Sequence, residues 1–277
     1  MRQMLETPNV GLSTTRSVEI GDWEHIFCTA TMIQHHTVSL KEVNYLFPLY
    51  LYPTDEATTD LFDAAPAAGR RANLAPEFIA DFSSRLGMQW VPDGTGDRAA
   101  TFGPEDVFHY LYAVFHSPAY RQRYAEFLRI DFPRLPLTRD AELFRALCEP
   151  GRELVALHLM EAHPPLITRY TVPGDNAVDR VRYTEPGQGG DEGRVWINAT
   201  QFFDGVPPEV WSFRVGGYQV AGKWLKDRRG RQLTFDDLTH YQRVLAALAR
   251  TGVLMQEVDA IVDRHGGWPL AGSAEGE

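Results

Sequence analysis

The sequence predicts an α+β fold, with strand-rich and helical blocks mixed along one chain. Three observations carry that reading. Short β-branched and aromatic stretches gather before residue 53 and again between Pro164 and Val215. Longer stretches with apolar residues at helical spacing lie between and after them. No internal repeat is visible, and hydrophobic residues make up 44% of the 277 positions, enough for a sizeable core. The same composition excludes a fully disordered chain.

Val10 to Ser17 and His25 to Thr29 read as strands split by Gly21-Asp22. Tyr45 to Tyr52 is strongly apolar but contains Pro48, which lacks an N–H for a ladder, so an edge or bulged strand is expected. Residues 54–72 are acidic, then rich in alanine, glycine and arginine, and read as a surface loop or linker. A helix from Ala75 would align Phe78, Ile79, Phe82 and Leu86, and Pro92 to Asp97 is a turn cluster. Pro104 to His116 predicts a helix burying Val107, Leu111, Val114 and Phe115. Ser117-Pro118 restarts it, because serine caps free N–H groups and proline suits a first turn. Asp131 to Leu137 should be extended, since each proline biases its predecessor away from helix.

Asp140 to Glu161 reads as a helical pair, or one helix kinked at Pro150-Gly151, with Leu143, Leu147, Leu154 and His158 inward. LITRYTV, VDRVRYT, RVWINAT and SFRVG then return to strands, with Gly187 to Gly193 as a hairpin-like connection. A short helix is expected near Tyr218 to Asp227. Thr234 opens a long helix to about Asp263, with Asp237 completing a weak capping box. Its stripe is Leu238, Tyr241, Leu245, Leu248, Val253 and Val258. We expect one domain over residues 1–265, strand-rich over residues 1–100 and mixed α/β over residues 101–265, and a frayed tail at 266–277.

Lys and Arg number 27 against 37 Asp and Glu, for a net charge of −10. That excludes a generic nucleic-acid coat, which needs cations for phosphates, but not a reader with one local basic face. Two distant cysteines, Cys28 and Cys148, give no disulfide framework and point to a reducing cytoplasm. No apolar run reaches about 18 residues and no signal pattern opens the chain, so neither a membrane span nor a membrane partner is expected.

Catalytic and metal motifs are missing. There is no G-x-x-x-x-G-K-[ST], no H-E-x-x-H, no paired C-x-x-C and no G-x-S-x-G elbow. Gly94-Thr95-Gly96 lacks a preceding strand and the third glycine of a dinucleotide loop. The Asn/Asp-Pro-Pro-Tyr/Phe motif of amino-methylating enzymes is also absent. His25 with Cys28, and His35-His36, come nearest to ligand spacing and read as core or surface side chains. Asp236-Asp237 and Asp191-Glu192 suit a helix start and a loop. No catalytic residue, metal or cofactor is assigned to this chain.

The positive signal is cationic. Lys223, Lys226, Arg228, Arg229 and Arg231 fall within nine positions, preceded by Arg214, Tyr218 and Gln219 and with Trp224 among them. Gly216-Gly217 would allow close backbone approach, and the helix start after it would aim free N–H groups at phosphates. A solvated basic turn beside a packed Trp224 is the plain alternative. A second candidate is Ser117, Tyr120 and Arg121 in SPAYRQRY, against a solvated helix face with Tyr124 inward. A third is Arg16, which could donate twice to guanine or sit in a cross-strand ion pair.

Several blocks, in this order, resemble the C-terminal specificity domain of type ISP restriction–modification enzymes. They are NVGLSTTRS, NYLFPLYLYP, EDVFHYLYAVFHSPAYRQRYAEFLRIDFPRLPL, FRALCEPGRELVALHLME, RVWINATQFFDGVPPEVWSFRVGGYQVAGKWLKDRRGR and LTFDDLTHYQRVLAAL. The likeness covers roughly residues 9–260. It implies a non-catalytic target recognition domain that docks in the grooves of double-stranded DNA. In that family it follows nuclease, ATP-driven motor and adenine-N6 methyltransferase modules in one polypeptide. S-adenosylmethionine, ATP and Mg would belong to those modules, which are not in this chain, and they would be its partners in cis or in trans. By the same likeness, Gly216 to Arg228 and SPAYRQRY face DNA. The alternatives are a metal-dependent nuclease or hydrolase whose site no motif reveals, and a protein-interaction subunit of a restriction or anti-restriction system.

Overall fold

β1 (Gly11–Thr15) is buried at every residue. It forms the middle of an antiparallel sheet with β2 (Ile26–Thr29) and β3 (Asn44–Pro48), in the order β2-β1-β3. Leu12 lies opposite Cys28 on one side and Phe47 on the other. β3 is an edge strand that ends at Pro48, where a missing N–H costs nothing. The chain then bends into β4 (Tyr50–Leu51), which pairs with β5 (Arg71–Ala72). This computed structural model describes residues 2–5, 8–37, 39, 41–53, 69–188 and 190–270. Most of the expected loop at 54–72 and most of the expected tail at 266–277 therefore lie outside the described residues.

α1 (Pro76–Leu86) opens on proline and closes on Gly87 at φ 65°, a left-handed position suited to glycine. It buries Phe82 and Leu86. β6 (Gln89–Trp90) and β7 (Thr101–Phe102) pair in parallel. Between them, Asp97 Oδ1 accepts from the N–H groups of Thr101, Ala100 and Ala99 at 2.8, 2.8 and 2.9 Å. Those donors hold its carboxyl far below the usual range.

α2 (Pro104–His116) has the predicted bounds and buries ten of its thirteen residues, so it is enclosed nearly all round rather than along one stripe. α3 (Pro118–Arg123) and α4 (Ala125–Ile130) follow. α5 (Ala141–His158) is one helix with Pro150 inside it, not a helical pair. A methyl group on Gly151 would strike the carbonyl of His109, so glycine marks a close approach of α5 to α2.

The Phe82 ring stands 5.7, 5.8 and 5.4 Å from those of Phe102, Tyr110 and Phe144. This aromatic cluster draws together segments on both sides of residue 100, and the fold does not divide there as expected. Its two compact units are Met1–Val155 with Met255–Glu277, and Ala156–Leu254.

In the second unit, β8 (Arg182–Thr184), β9 (Arg194–Trp196) and β10 (Phe202–Asp204) form an antiparallel sheet in the order β10-β9-β8. The glycine-rich connection thus joins neighbouring antiparallel strands. The register sets Tyr183, Val195 and Phe203 in one row, with Val195 and Phe203 in the core. LITRYTV forms no named strand; it contributes an isolated bridge between Arg169 and Asp204. α6 (Pro208–Ser212), the hairpin β11 (Arg214–Val215) and β12 (Tyr218–Gln219), α7 (Val220–Lys226) and α8 (Phe235–Arg264) complete the order.

α8 starts with the predicted reciprocal cap. Thr234 Oγ1 accepts from the Asp237 N–H at 3.1 Å, and an Asp237 oxygen accepts from the Thr234 N–H at 3.0 Å. Tyr241, Leu245 and Leu248 point inward, but Val253 does not. Beyond Leu248 the buried apolar positions of the helix are Leu254, Val258 and Val262, spaced four apart on a different side from the Tyr241–Leu248 stripe, so the buried face changes along α8 and leaves Val253 outside it.

Candidate nucleic-acid interface

The basic turn between α7 and α8 is built from the inside out. Leu225 and Leu233 sit in the core of the second unit, together with Tyr241 and Leu245. Gly230 takes φ 79° and returns the chain. The Gly230 N–H donates to Val178 O at 2.8 Å, and the Val178 N–H to Arg231 O at 2.9 Å. The turn is thereby clamped to residues 176–178, themselves held by Gln201, whose amide donates to Asn176 Oδ1 at 2.8 Å. Lys226, Arg229 and Arg231 project from this clamp, exposed and without an ion pair among the described residues.

Two further cations are spoken for. Lys223 pairs with Asp227 one helical turn on, and lies 5.4 Å from the Tyr218 ring. Arg228 stacks its guanidinium 3.5 Å above the Trp224 ring, donates to Trp224 O at 3.0 Å, and reaches Asp237 at 3.8 Å. Trp224 rests on Tyr241, ring centres 5.0 Å apart. Asp237 stays below the usual carboxylate range because the Thr234 N–H and hydroxyl, and then Arg228, favour its charge. Burial, followed by Arg228, lowers the pKa of His240.

Gly216-Gly217 has a local explanation. It is the two-residue turn of the β11–β12 hairpin, with Gly216 at φ 53°. Arg214 is exposed and donates to Gly217 O at 2.9 Å. Tyr218 is half-buried, and Gln219 donates its amide to Trp211 O. The start of α7 does not offer a free donor at its first residue, because the Val220 N–H is bonded to Phe213 O at 3.1 Å.

The SPAYRQRY expectation needs correcting. Ser117 caps α3, accepting from the Tyr120 N–H at 3.0 Å as predicted. But it is fully buried, donates to Asp259, and accepts from Trp268 Nε1 at 3.2 Å. Tyr120 is buried, with its hydroxyl donating to Arg134 O at 2.7 Å. Arg121 donates to Phe115 O at 2.8 Å, and burial pushes its pKa down to about 10. Ser117 and Tyr120 line the interior of the first unit and Arg121 is half-buried; Gln122 and Arg123 are exposed members of that turn.

Arg16 lies one residue past β1 and is 63% exposed on its side chain. It pairs with Asp131 at 3.0 Å, on the segment after α4, so its partner is not cross-strand. Among the described residues, no three His, Cys, Asp or Glu side chains gather where they could hold a metal ion. Cys28 and Cys148 are both buried free thiols. No helix among the described residues is long and apolar enough to cross a membrane.

Two features escape a reading of the sequence. The register of β8, β9 and β10 makes a second row of Arg182, Trp196 and Phe202, with the Arg182 guanidinium 4.1 Å over Trp196. The alternation in VRYT and RVW is its only signal. The other is Phe235, 80% exposed at the first residue of α8. Helical periodicity would extend the buried stripe back to it, three residues before Leu238, but the helix begins there and the ring is left exposed.

A mixed α+β fold with an exposed basic turn is the structural class defined so far. The chain belongs to the type ISP C-terminal specificity domain family, whose model matches residues 1–257. No curated protein matches it. Among solved structures, it is similar to a nuclease-deletion mutant of the type ISP restriction–modification enzyme LlaGI in complex with a DNA substrate mimic. There the TM-score is 0.60 and the identity 19%, over 91% of this chain and 21% of that one. It is similar to the ATP-dependent type ISP restriction–modification enzyme LlaBIII bound to DNA, with TM-score 0.64 and 17% identity over 91% of this chain and 16% of that one. The DrdV–DNA complex gives TM-score 0.62 and 21% identity, over 92% and 24%. The chain thus spans under a quarter of the length of these solved chains, and the likeness is one of fold.

Proposed function

We propose that this chain is a sequence-specific DNA recognition module of a type ISP-like restriction–modification system, non-catalytic by itself. In this reading the covalent chemistry, and the S-adenosylmethionine, ATP and Mg it needs, belong to methyltransferase and nuclease–motor modules acting with it. The observation that carries the reading is the clamped turn at 226–231. It exposes Lys226, Arg229 and Arg231 on a chain whose overall charge is −10. Cations segregated on one rigid surface can fix register on phosphates, while neighbouring side chains read base edges. Lys223 and Arg228 then act mainly as supports, through Asp227, Trp224 and Asp237. The family and the DNA named in the similar complexes support the same assignment.

The test is a titration of Lys226→Ala/Arg229→Ala/Arg231→Ala with duplex DNA at several salt concentrations. Each phosphate contact contributes about 0.9 to the slope of log affinity against log salt. The triple variant should therefore bind about tenfold or more weakly near 0.1 M salt and lose roughly 2–3 from that slope. Unchanged affinity and slope would refute this surface.

A further inference from the structure

We propose that Phe235 is a wedge that enters the base stack of duplex DNA beside the basic turn, an inference that rests on the DNA-recognition reading above. No large apolar side chain among the described residues is more exposed than this one, at 80%. It stands directly after Thr234, the cap of α8, and four residues after Arg231. The ring is not there to start the helix. That work is done by Thr234 and Asp237, which cap the helix reciprocally. Its base is stiff on both sides: Leu233 is buried, with its N–H bonded to Asn176 O at 2.9 Å, and Asp237 is tied to Thr234 and Arg228.

The surroundings select the occupant. From Lys223 to Asp237 there are five cations against three carboxylates, on a chain that is otherwise acidic. Two of those carboxylates are held, Asp227 by Lys223 and Asp237 by Arg228, and Asp236 remains exposed beside the ring. An exposed apolar ring that closely follows the exposed cations Lys226, Arg229 and Arg231 along the chain suits a polyanion with an apolar interior. Duplex DNA offers both, phosphates outside and a stack of base faces within. Phenylalanine is one of the side chains that proteins insert between base steps, unstacking them and bending the duplex.

The experiment compares wild type, Phe235→Ala, Phe235→Trp and the triple cation variant. The probes are duplexes selected from a random pool and labelled with 2-aminopurine at successive adenines. Wild type should raise 2-aminopurine fluorescence at one step. Phe235→Ala should abolish that rise and bind about tenfold more weakly, in the range of one lost aromatic–base contact, with an unchanged salt slope. Phe235→Trp should restore both. Equal thermal stability of Phe235→Ala and wild type is the control for folding. If Phe235→Ala binds and reports like wild type while the cation variant loses affinity, the wedge is wrong and the recognition surface stands. A loss that comes with a shallower salt slope also overturns the wedge. If neither variant changes binding, the recognition surface itself fails and the wedge falls with it.

Discussion

His109 carries a buried ring nitrogen, Nδ1, with no hydrogen-bond partner. Burial, followed by the charges of Arg98 and Arg152, pushes its pKa down to about 4. The unfolded chain takes up that proton near pH 6.5. The neutral ring's contribution to stability is therefore complete above pH 6.5 and is lost as pH falls from there toward 4. The loss amounts to roughly 3 kcal/mol at most. Urea midpoints at pH 7.5 and 4.5 should fall less for His109→Gln than for wild type; an equal fall would contradict this. Individual roles of this kind are poorly legible in sequence. Ser117 was readable as a helix cap because Ser-Pro has a local meaning. The inward turn of Tyr120 and Arg121 was not, because a cation at helical spacing does not show which face meets the core. Arg228 was readable as a cation but not as the lid of Trp224.

Elements with punctuation at both ends were the readable ones. α2 lies between Pro104 and Ser117-Pro118, and α8 begins at the Thr234–Asp237 box, so local chemistry alone sets those boundaries. Pro48 correctly marked the edge of a sheet. LITRYTV, Leu166 to Val172, failed the other way: its β-branched residues predict a strand, but the segment gained only the Arg169–Asp204 bridge. Strand propensity reports fit to a pleated surface, and no neighbour completes a ladder there. Pro150-Gly151 misled for a related reason. The pair looks like a break, whereas glycine is required by the approach to His109. Gly151→Ala should cost about 3 kcal/mol or more, since the obstacle is backbone that cannot rotate away. Chemical denaturation with an unchanged m-value would measure it, and a cost under about 1 kcal/mol would show that α5 can shift.

For the molecule as a whole, fold class and family were legible because ordered blocks extend over most of the chain. The partition into units was not. It depends on Phe82, Phe102, Tyr110 and Phe144 meeting across residue 100, a long-range contact that no window of sequence contains. Nor does the family match, which stops at residue 257, coincide with the end of the first unit. Asp259 accepts from Ser117 and from the Ala119 N–H, Trp268 packs 5.3 Å from Tyr120, and Val262 and Leu270 are buried. A fragment trimmed to the matched span would strip the Ser117 hydroxyl and the Ala119 amide of their acceptor and open an apolar socket over Tyr120. Such a fragment should melt several degrees lower than the chain carried through residue 270 and expose dye-binding surface. Whoever chooses expression boundaries for this domain should let those last thirteen residues stay.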